Sequence, residues 1–382
     1  MKQIISFSVI FILAGFVACK GPTDSNNSPD PSDPAPKPEA TFEGLGDLSG
    51  GDFQSSAIST SADGSVVVGF SSSTNGTEAF RWENGKMEGL GDLPGGDFYS
   101  VARDVSADGS VIIGTGTLGD FPSQIEAFRW ERGVMEGLGQ LKIDIEYSDA
   151  RGVSADGSIV VGLASSANGT EAFRWENGIM TGLGDFPSGD FLSIASDISA
   201  DGSVVVGYGQ WGTVYNEIEA FRWKDEIMAG LSGLPGADLN SNAYAVSADG
   251  AVVVGRSNSA NGNQAFRWVR GDIEGLGDLA GGTYSSLAHD VSEDGSIVVG
   301  RGNSSIGNEA FIWTESEGMQ NLQDVLENEY NLNLSGWTLS AAFGISDDGM
   351  VIVGTGTNPN GETEAWRAFL GEPGHNETTK IQ

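Results

Sequence analysis

The sequence predicts an all-β protein, a seven-bladed β-propeller of four-stranded blades that is closed by pairing an N-terminal strand with the last blade. The main observation is the pattern Ser-x-Ala-x-x-x-Ser-x-Asp-Gly, followed closely by an apolar triplet and a glycine, which occurs seven times. Its Asp-Gly pairs are separated by 45, 48, 45, 48, 45 and 54 residues. A repeat of about 45–50 residues has the length of one four-stranded propeller blade.

Each repeat is predicted to contain two hairpins. Asp-Gly joins the first strand to the second, and we expect a type I′ turn with positive φ at both residues. The second strand is apolar at consecutive positions, as in Val66-Val67-Val68, which is typical of a strand buried on both faces. Residues 78–82 form the third strand, and a hairpin at Asn84-Gly85 leads into the fourth, residues 87–93. Only residues 320–330 predict a short helix.

The two ends of the repeat array complement each other. Residues 41–48 match a fourth strand without the three strands that precede it elsewhere, and the last copy ends after its third strand, residues 364–369. An N-terminal strand that completes the last blade leaves no free edge. A β-solenoid is the alternative for tandem repeats, but an open solenoid has no use for this complementarity.

The chain divides into four predicted segments. Residues 1–18 form a signal peptide, because Lys2 is followed by an apolar run that is short for a membrane span. Residues 19–40 begin with a cysteine that we expect to be lipidated and are rich in Pro, Ser, Asp and Asn, which predicts a disordered tether. Residues 41–370 form the seven-repeat propeller, and residues 371–382 form a polar tail.

Cys19 is the only cysteine of the chain, and it follows Phe16-Val17-Ala18 at the end of the apolar run. This arrangement resembles the lipobox of bacterial lipoproteins, in which a Leu is usual at the place of Phe16. The resemblance implies cleavage before Cys19 and attachment of a lipid to it. Lys20 stands where many Gram-negative lipoproteins retained in the inner membrane have Asp. We therefore expect a lipid anchor in the outer membrane or at the cell surface.

The net charge of the chain is -34, from 19 Lys and Arg against 53 Asp and Glu. So large a negative charge repels phosphate backbones and anionic lipid headgroups. Nucleic acid is therefore excluded as a partner on electrostatic grounds, whereas cations and cationic partners are allowed.

Three recurring segments support a family resemblance. They are Ala-Phe-Arg-Trp at residues 79–82, Gly-Leu-Gly-Asp-Leu at 89–93 and Val-Ser-Ala-Asp-Gly at 105–109. These segments resemble the extracellular HAF-repeat family, named for a His-Ala-Phe triplet, over about residues 42–370. This chain has Glu, and once Gln, in place of that histidine, so no role of the histidine carries over. The family implies an exported, propeller-like repeat protein and brings no catalytic residues.

Residues that recur in every repeat are interpreted as structural. The first-strand serines, Ser55 and its equivalents, and the alanines two positions later are small enough for a crowded strand near the propeller axis. The alternative is a ring of hydroxyls around an ion or a column of water. The third-strand arginines, such as Arg81, are expected to meet carboxylates or carbonyls between blades, and the alternative is an anion site.

The candidate ligand site is the face that carries the variable loops. It combines aromatic residues with carboxylates in the turns between blades and in two long insertions. The residues are Asp52, Phe53, Asp97, Phe98, Asp120, Phe121, Tyr147, Asp190, Phe191, Trp211, Tyr215, Tyr284 and Trp337. Such a set suits a sugar, a peptide or Ca²⁺. The alternative is that each turn only packs its aromatic ring over a blade edge.

The sequence favours a non-catalytic binding or scaffolding module at the bacterial cell envelope, with an unknown protein or glycan ligand. Its two histidines, His289 and His375, suggest no catalytic set, and no cofactor is predicted. Ca²⁺ stays an alternative, although the chain lacks an Asp-x-Asp-x-Asp-Gly loop. The alternative function is an envelope glycan hydrolase or lyase that uses carboxylates on the variable-loop face.

Overall fold

The computed structural model describes residues 39–119, 124–141, 147–187, 191–212 and 217–371, and it confirms the all-β prediction. We number the repeats 1 to 7 in chain order. The first strands are β2 (Ser55–Thr60), β6 (Ser100–Val105), β10 (Ser148–Val153), β14 (Ser193–Ile198), β18 (Ser241–Val246), β22 (Gly281–Val291) and β26 (Thr338–Ile345). The second strands are β3 (Val66–Ser73), β7 (Val111–Thr117), β11 (Ile159–Ser165), β15 (Val204–Gln210), β19 (Val252–Ser259), β23 (Ile297–Ser304) and β27 (Val351–Thr357).

The outer half of each repeat consists of a third and a fourth strand. The third strands are β4 (Gly76–Glu83), β8 (Ile125–Glu131), β12 (Thr170–Glu176), β16 (Ile218–Lys224), β20 (Gly262–Val269), β24 (Gly307–Thr314) and β28 (Thr363–Phe369). The fourth strands are β5 (Lys86–Gly89), β9 (Val134–Gly137), β13 (Ile179–Gly182), β17 (Ile227–Gly230), β21 (Asp272–Gly275), β25 (Gly318–Asn321) and, for the last repeat, β1 (Thr41–Gly44).

Strands that follow one another in a repeat pair antiparallel. Five repeats form separate four-stranded sheets, and repeats 5 and 6 share one sheet through a single parallel pair, Asn263 with Ser285. The N-terminal strand β1 pairs with β28, the third strand of the last repeat, from Thr41 opposite Phe369 to Gly44 opposite Trp366. The chain therefore completes its last sheet with its first strand.

Backbone hydrogen bonds link the seven Asp-Gly hairpins into a closed cycle. Ala62 N–H donates to the carbonyl of Ala107 in the next repeat at 3.1 Å, and the equivalent bond recurs through the array. The last one, from Asp347 N–H, returns to the carbonyl of Ala62 in the first repeat at 3.1 Å. The members of the cycle are Ala62, Ala107, Ala155, Ala200, Ala248, Glu293 and Asp347.

The core lies between consecutive repeats. Seven clusters of buried apolar side chains occur in the described residues, one for each pair of neighbours, including the pair formed by repeats 7 and 1. In the cluster between repeats 7 and 1, Phe80 of β4 packs with Val353 of β27, and both side chains are fully buried. Each full burial of such a side chain contributes roughly 1.5–3 kcal/mol relative to its exposure.

The first-strand serines connect neighbouring repeats. Ser100 Oγ donates to Gly91 O at 2.6 Å and accepts from Ala79 N–H at 2.9 Å, so one hydroxyl holds the preceding turn and the third strand of repeat 1. The same two bonds occur at Ser55, Ser148, Ser193, Ser241 and Ser286. These contacts agree with the structural interpretation rather than with a ring of hydroxyls around an ion.

The third-strand arginines also meet partners of the kind expected. Arg367 Nε donates to Gly64 O at 3.1 Å across the junction of repeats 7 and 1, and Arg222 Nε donates to Gly250 O at 3.1 Å. Others pair with a carboxylate of their own strand, as Arg81 does with Glu83 at 2.8 Å.

The helix α1 (Leu322–Asn328) lies within the stretch predicted to be helical. Asn321 caps it by accepting a hydrogen bond from Asp324 N–H, and Leu322, Val325 and Leu326 are buried against repeats 6 and 7. In the described part of the chain, no helix is long and apolar enough to cross a membrane.

The Asp-Gly turns differ from the prediction. Gly64 has φ of 68°, but Asp63 is not at positive φ, so the expected type I′ turn is wrong for this hairpin and its six equivalents. The Asp63 carboxylate instead accepts hydrogen bonds from Ser61 Oγ and from the N–H and Oγ of Ser65, which favours a longer turn. The Asn84-Gly85 turn has positive φ at both residues, as predicted.

One turn keeps the type I′ conformation without a glycine. Asp225 and Glu226 have φ of 51° and 62°, and Glu226 is exposed. Left-handed backbone costs an L-residue roughly 1–2 kcal/mol. We expect Glu226→Gly to raise the free energy of unfolding by about 0.5–1 kcal/mol, less than the full strain because glycine also loses more entropy on folding. Denaturant unfolding followed by tryptophan fluorescence measures this.

Gly85→Ala is the matched control in the opposite direction. Gly85 has φ of 77°, and a Cβ at this position would meet no other atom of the described residues, so the substitution adds only backbone strain. An unchanged stability of the Glu226→Gly variant, with Gly85→Ala destabilised, would contradict the strain at residue 226.

Candidate functional site

Every first strand contains a β-bulge at the same place. In repeat 2, Ala102 pairs with Gly114 and Asp104 pairs with Ile113, so Arg103 is the extra residue. A bulge redirects the side chain of its extra residue. The seven bulge residues are Ile58, Arg103, Arg151, Ser196, Tyr244, His289 and Phe343.

A glycine of the second strand makes room for each bulge. A Cβ on Gly114 would lie 2.0 Å from the carbonyl oxygen of Val101, two residues before the bulge residue. The equivalent distance is 2.0 or 2.1 Å in the other six repeats. The recurrent glycine after the apolar triplet is therefore required by close approach of the backbone.

All seven bulge residues line one cavity of about 320 Å³, which we call the central pocket. Along each first strand, the bulge residue comes after the turn between repeats and before the Asp-Gly hairpin. The central pocket therefore lies on the side of the variable loops. A narrower cavity of about 120 Å³ lies on the other side, and the seven residues of the hydrogen-bond cycle line it.

The pocket has an aromatic side and a cationic side. Repeats 5, 6 and 7 contribute Tyr244, His289 and Phe343, and the His289 ring centroid lies 6.2 Å from that of Tyr244 and 4.8 Å from that of Phe343. Repeats 2 and 3 contribute Arg103 and Arg151. In the order of the hydrogen-bond cycle, these two repeats are opposite repeat 6, with repeats 1 and 4 between the two sides.

The two arginines have unequal partners. Arg151 Nε donates to Asp149 Oδ2 at 3.2 Å, and Arg151 also forms a hydrogen bond with Tyr208. Arg103 Nε lies 3.8 Å from Asp149 Oδ1, beyond hydrogen-bond distance, and Thr115 Oγ1 donates to that same oxygen. The Asp149 carboxylate thus accepts a hydrogen bond from Arg151 but none from Arg103, and Arg103 Nε can still donate one.

Three aspartates, Asp104, Asp197 and Asp290, form a layer between the two cavities. Each carboxylate accepts from the next N–H of its own strand and from an N–H of the following repeat, as Asp290 does from Val291 at 2.8 Å and from Ile345 at 2.9 Å. These aspartates belong to repeats 2, 4 and 6. We call them the aspartate layer.

The repeats that follow each aspartate have a small residue at the same position. These small residues are Gly152 after Asp104, Ala245 after Asp197 and Gly344 after Asp290. A Cβ on Gly152 would lie 2.8 Å from Asp197 Cα, so the position has no room for a second carboxylate. Repeat 1 has Ser59 there, and its hydroxyl donates to Asp104 at 2.7 Å.

Burial raises the pKa of each carboxyl in the aspartate layer. The pKa of Asp104 rises to about 6 and that of Asp290 to about 7. The pKa of Asp197 is also raised, by burial and by the charges of the other two aspartates. The three residues lie deep in the ring of repeats and are half-buried by exposed area, because each borders both cavities. Burial and the nearby Arg301 lower the pKa of His289 to about 3, so its imidazole is neutral at neutral pH.

The described residues of the predicted site lie along the boundaries between repeats and do not line the central pocket. Asp52, Asp97 and Trp211 are exposed, and the others are half-buried: Phe53, Phe98, Tyr147, Phe191, Tyr284 and Trp337. Trp211 packs edge-on against Phe186 at 5.0 Å, and Trp337 against Phe42 at 5.1 Å. For these two tryptophans, the packing is that of the alternative, in which the ring covers a repeat edge.

Five predicted site residues lie outside the described residues: Cys19, Asp120, Phe121, Asp190 and Tyr215. The signal peptide, most of the tether and the polar tail also lie outside them. Within the ranges that the structure describes, no group of three or more His, Cys, Asp or Glu side chains is placed to hold a metal ion.

The sequence of the first strands contains part of a signal for the central pocket. In the pattern Ser-x-Ala-x, the fourth position differs among nearly all copies, although the serine and the alanine recur in all seven. The second position varies as well, so only the register of the strands distinguishes the bulge position from it.

No family model matches the sequence, and no curated protein does, so the HAF-repeat resemblance stays a prediction. Solved structures are similar in fold. Oligogalacturonate lyase from Vibrio parahaemolyticus matches with 9% identity and a TM-score of 0.53, over 87% of this chain and 97% of that chain. The β-propeller domain of the Trilobed protease from Pyrococcus furiosus, which has an open velcro topology, matches with 13% identity and a TM-score of 0.50, over 71% and 81%. TolB from Acinetobacter baumannii matches with 10% identity and a TM-score of 0.46, over 86% and 79%.

These identities are low, so the first two likenesses show the fold alone. The chain is all-β, with repeated four-stranded antiparallel sheets like those of propellers.

Asp290→Asn removes one titrating carboxyl from the aspartate layer. Its pKa is about 7 in the folded protein against an ordinary value of 3.8, so the folded state binds a proton between these values and the unfolded state does not. The stability from this group is complete below about pH 4 and is lost as the pH rises through about 7. We expect the variant to show a shallower fall of the unfolding free energy over this window, measured by denaturant titrations at several pH values.

Asp63→Asn is the control for this experiment. Hydrogen bonds from Ser65 lower the pKa of Asp63, so its contribution is present above its ordinary pKa and is lost only in more acidic solution. The control should leave the slope between about pH 4 and pH 7 unchanged. An Asp290→Asn slope equal to that of the native protein would contradict a raised pKa at Asp290.

Proposed function

We propose that this protein is an exported, lipid-anchored, seven-bladed β-propeller that acts as a non-catalytic binding or scaffolding module at the bacterial cell envelope. Its ligand site is the central pocket. The single observation that carries the proposal is that seven bulge side chains of six residue types converge on one cavity, while the serine, alanine and glycine that hold each bulge recur in every repeat.

The closed cycle of hydrogen bonds supports seven blades in a ring. Each hairpin bonds to the next one, and the seventh bonds to the first. The buried clusters follow the same order, and β1 occupies the outer position of the last repeat. A ring that ends on its own first strand has no free edge for pairing with other chains.

The envelope address rests on the N-terminal sequence. An apolar run that ends in Ala18-Cys19 and a Pro- and Ser-rich stretch after it support a lipid anchor with a tether. Because its net charge is -34, an anchored protein of this kind is repelled by the anionic lipid headgroups of a nearby membrane. The pocket would then remain accessible from the surrounding solution.

An envelope glycan hydrolase or lyase is the second candidate. The observation that favours it is the aspartate layer at the floor of the pocket, where the pKa values of Asp104 and Asp290, about 6 and 7, suit proton transfer near neutral pH. Against it, all three carboxylates are engaged with backbone N–H groups of two repeats. Turnover of a bound glycan that Asp104→Asn abolishes would select the enzyme, and retention of the ligand by this variant without turnover in either protein would select the binding module.

Ser196→Trp tests the pocket as the ligand site. Ser196 is the smallest of the bulge residues, and an indole at this position would occupy much of the 320 Å³ cavity. We expect the full chain to retain ligands on a glycan and peptide array and the variant to lose them at least tenfold. The measurement is array binding followed by titration of each hit.

Ser316→Trp is the matched control, since Ser316 is exposed in a hairpin turn away from the pocket. It should bind as the native chain does. Equal binding by Ser196→Trp and the native chain would place the ligand elsewhere and contradict the proposed site.

Cys19→Ala tests the anchor. The thiol is the only attachment point for a lipid by this route, so the variant should move from the membrane fraction to the soluble fraction of the envelope. Metabolic labelling with a fatty acid should label the native chain and not the variant. Label that persists in Cys19→Ala would contradict lipidation at this residue.

A further inference from the structure

The polar atoms of the central pocket include three without a hydrogen-bond partner among the described residues. They are Arg103 Nε, Ser196 Oγ and His289 Nε2, and all three are shielded from solvent. Buried polar atoms in native proteins are almost always paired, because an unpaired one costs free energy. Three such atoms around one cavity give the pocket hydrogen-bonding capacity for the polar groups of a ligand.

The charge of the pocket is positive above the aspartate layer. Of the twelve arginines, six recur in the third strands and two lie in turns; the other four are Arg103, Arg151, Arg256 and Arg301. All four lie at or beside the pocket. Arg256 forms hydrogen bonds with Asn242, at 3.1 Å, and with Tyr244, and the positive charge of Arg301 is near enough to lower the pKa of His289. The one carboxylate at this level that pairs with them, among the described residues, is Asp149.

The cationic and the aromatic side chains of the pocket lie on opposite sides of the cavity. Arg103 stands opposite the row of Tyr244, His289 and Phe343, and the cavity of about 320 Å³ is at the small end of ligand pockets, which span roughly 300–1,000 Å³. A small ring with an anionic group on its edge fits this division, because its face can lie on the aromatic side while the anion meets Arg103.

We propose that the central pocket binds one ring of a sugar acid, with the sugar carboxylate on Arg103 and the sugar face on the aromatic side. This inference rests on the proposed function and names the ligand class of the same site. Ser196 and His289 pair with hydroxyls around the ring. The sugar is a uronic acid, free or within a glycan.

Other ligand classes fit less well. A neutral sugar offers no charged acceptor to the unpaired Nε of Arg103, and a phosphate brings a second negative charge above the three aspartates of the floor. A peptide C-terminus supplies the carboxylate but presents an extended backbone, not a ring face, to Tyr244 and Phe343. Binding experiments with each class distinguish them from a sugar acid.

The test compares matched sugars by calorimetry with the full chain. Galacturonate and glucuronate, and short oligomers of each, are titrated beside galactose and glucose, which differ only at the carboxylate. We expect each uronate to bind at least tenfold more tightly than its neutral counterpart. Arg103→Gln should weaken uronate binding by roughly tenfold or more, because a charge-assisted hydrogen bond is lost.

Arg132→Gln is the matched control, since it removes the same charge from a turn where the Arg132 side chain is 88% exposed. It should change uronate affinity less than twofold. Arg103→Lys should recover part of the affinity lost in Arg103→Gln, because charge returns without the planar fork. Unchanged thermal unfolding of Arg103→Gln would exclude misfolding as the cause.

The outcomes separate this inference from the proposed function. Galactose binding as tightly as galacturonate, or Arg103→Gln binding uronates as well as Arg132→Gln, overturns the sugar acid. Binding of phosphate or of a peptide in place of uronates, lost in Ser196→Trp, overturns the sugar acid and retains the pocket. Binding that survives Ser196→Trp overturns both.

Discussion

The close contact between a bulged first strand and a glycine of the second strand is the constraint on which the rest of the structure depends. The bulge brings a carbonyl oxygen so near to the glycine, as with Val101 and Gly114, that no Cβ fits. Because the same contact recurs in all seven repeats, the backbone is fixed at the same place in each. The bulge residue makes no part of this contact, so its side chain is free to vary, and the variation collects in one cavity.

The aspartate layer shows how neighbouring repeats adapt to one another. Each aspartate joins two repeats through backbone N–H groups. In the repeat before Asp197, a Cβ on Gly152 would lie 2.8 Å from Asp197 Cα, so only glycine fits there. Alternation also keeps the like charges on non-adjacent repeats, where their repulsion is weaker. An odd number of repeats cannot alternate without a break. The break falls at repeat 1, where Ser59 has a polar side chain and donates a hydrogen bond to Asp104.

Most of the fold could be predicted from the sequence, because the strand order, the short helix and the pairing of the N-terminal strand with the last repeat follow from comparing copies. The Asp-Gly turns could not, since Ser61 and Ser65 give the Asp63 carboxylate local partners that favour another turn. The central pocket was harder to predict, because the residues that line it lie in strands and not in the variable loops. A bulge is a property of the register between two strands, and an extra residue present in every copy leaves no gap in an alignment of the repeats. Only the register shows that Arg103 and His289 both turn into the cavity.

A cationic pocket in so acidic a chain has consequences for recognition. The net charge of -34 opposes the approach of any anion at long range, but salt screens charges over about 8–10 Å in water. Inside the pocket the screening is weaker, and Arg103 shares the carboxylate of Asp149 with Arg151 and keeps a free hydrogen-bond donor at Nε. An anionic ligand would thus gain little from steering and much from contact. Its affinity would depend on whether its shape lets the anion reach Arg103 while the rest of it lies on the aromatic side, and this selects among anions by geometry instead of by charge alone.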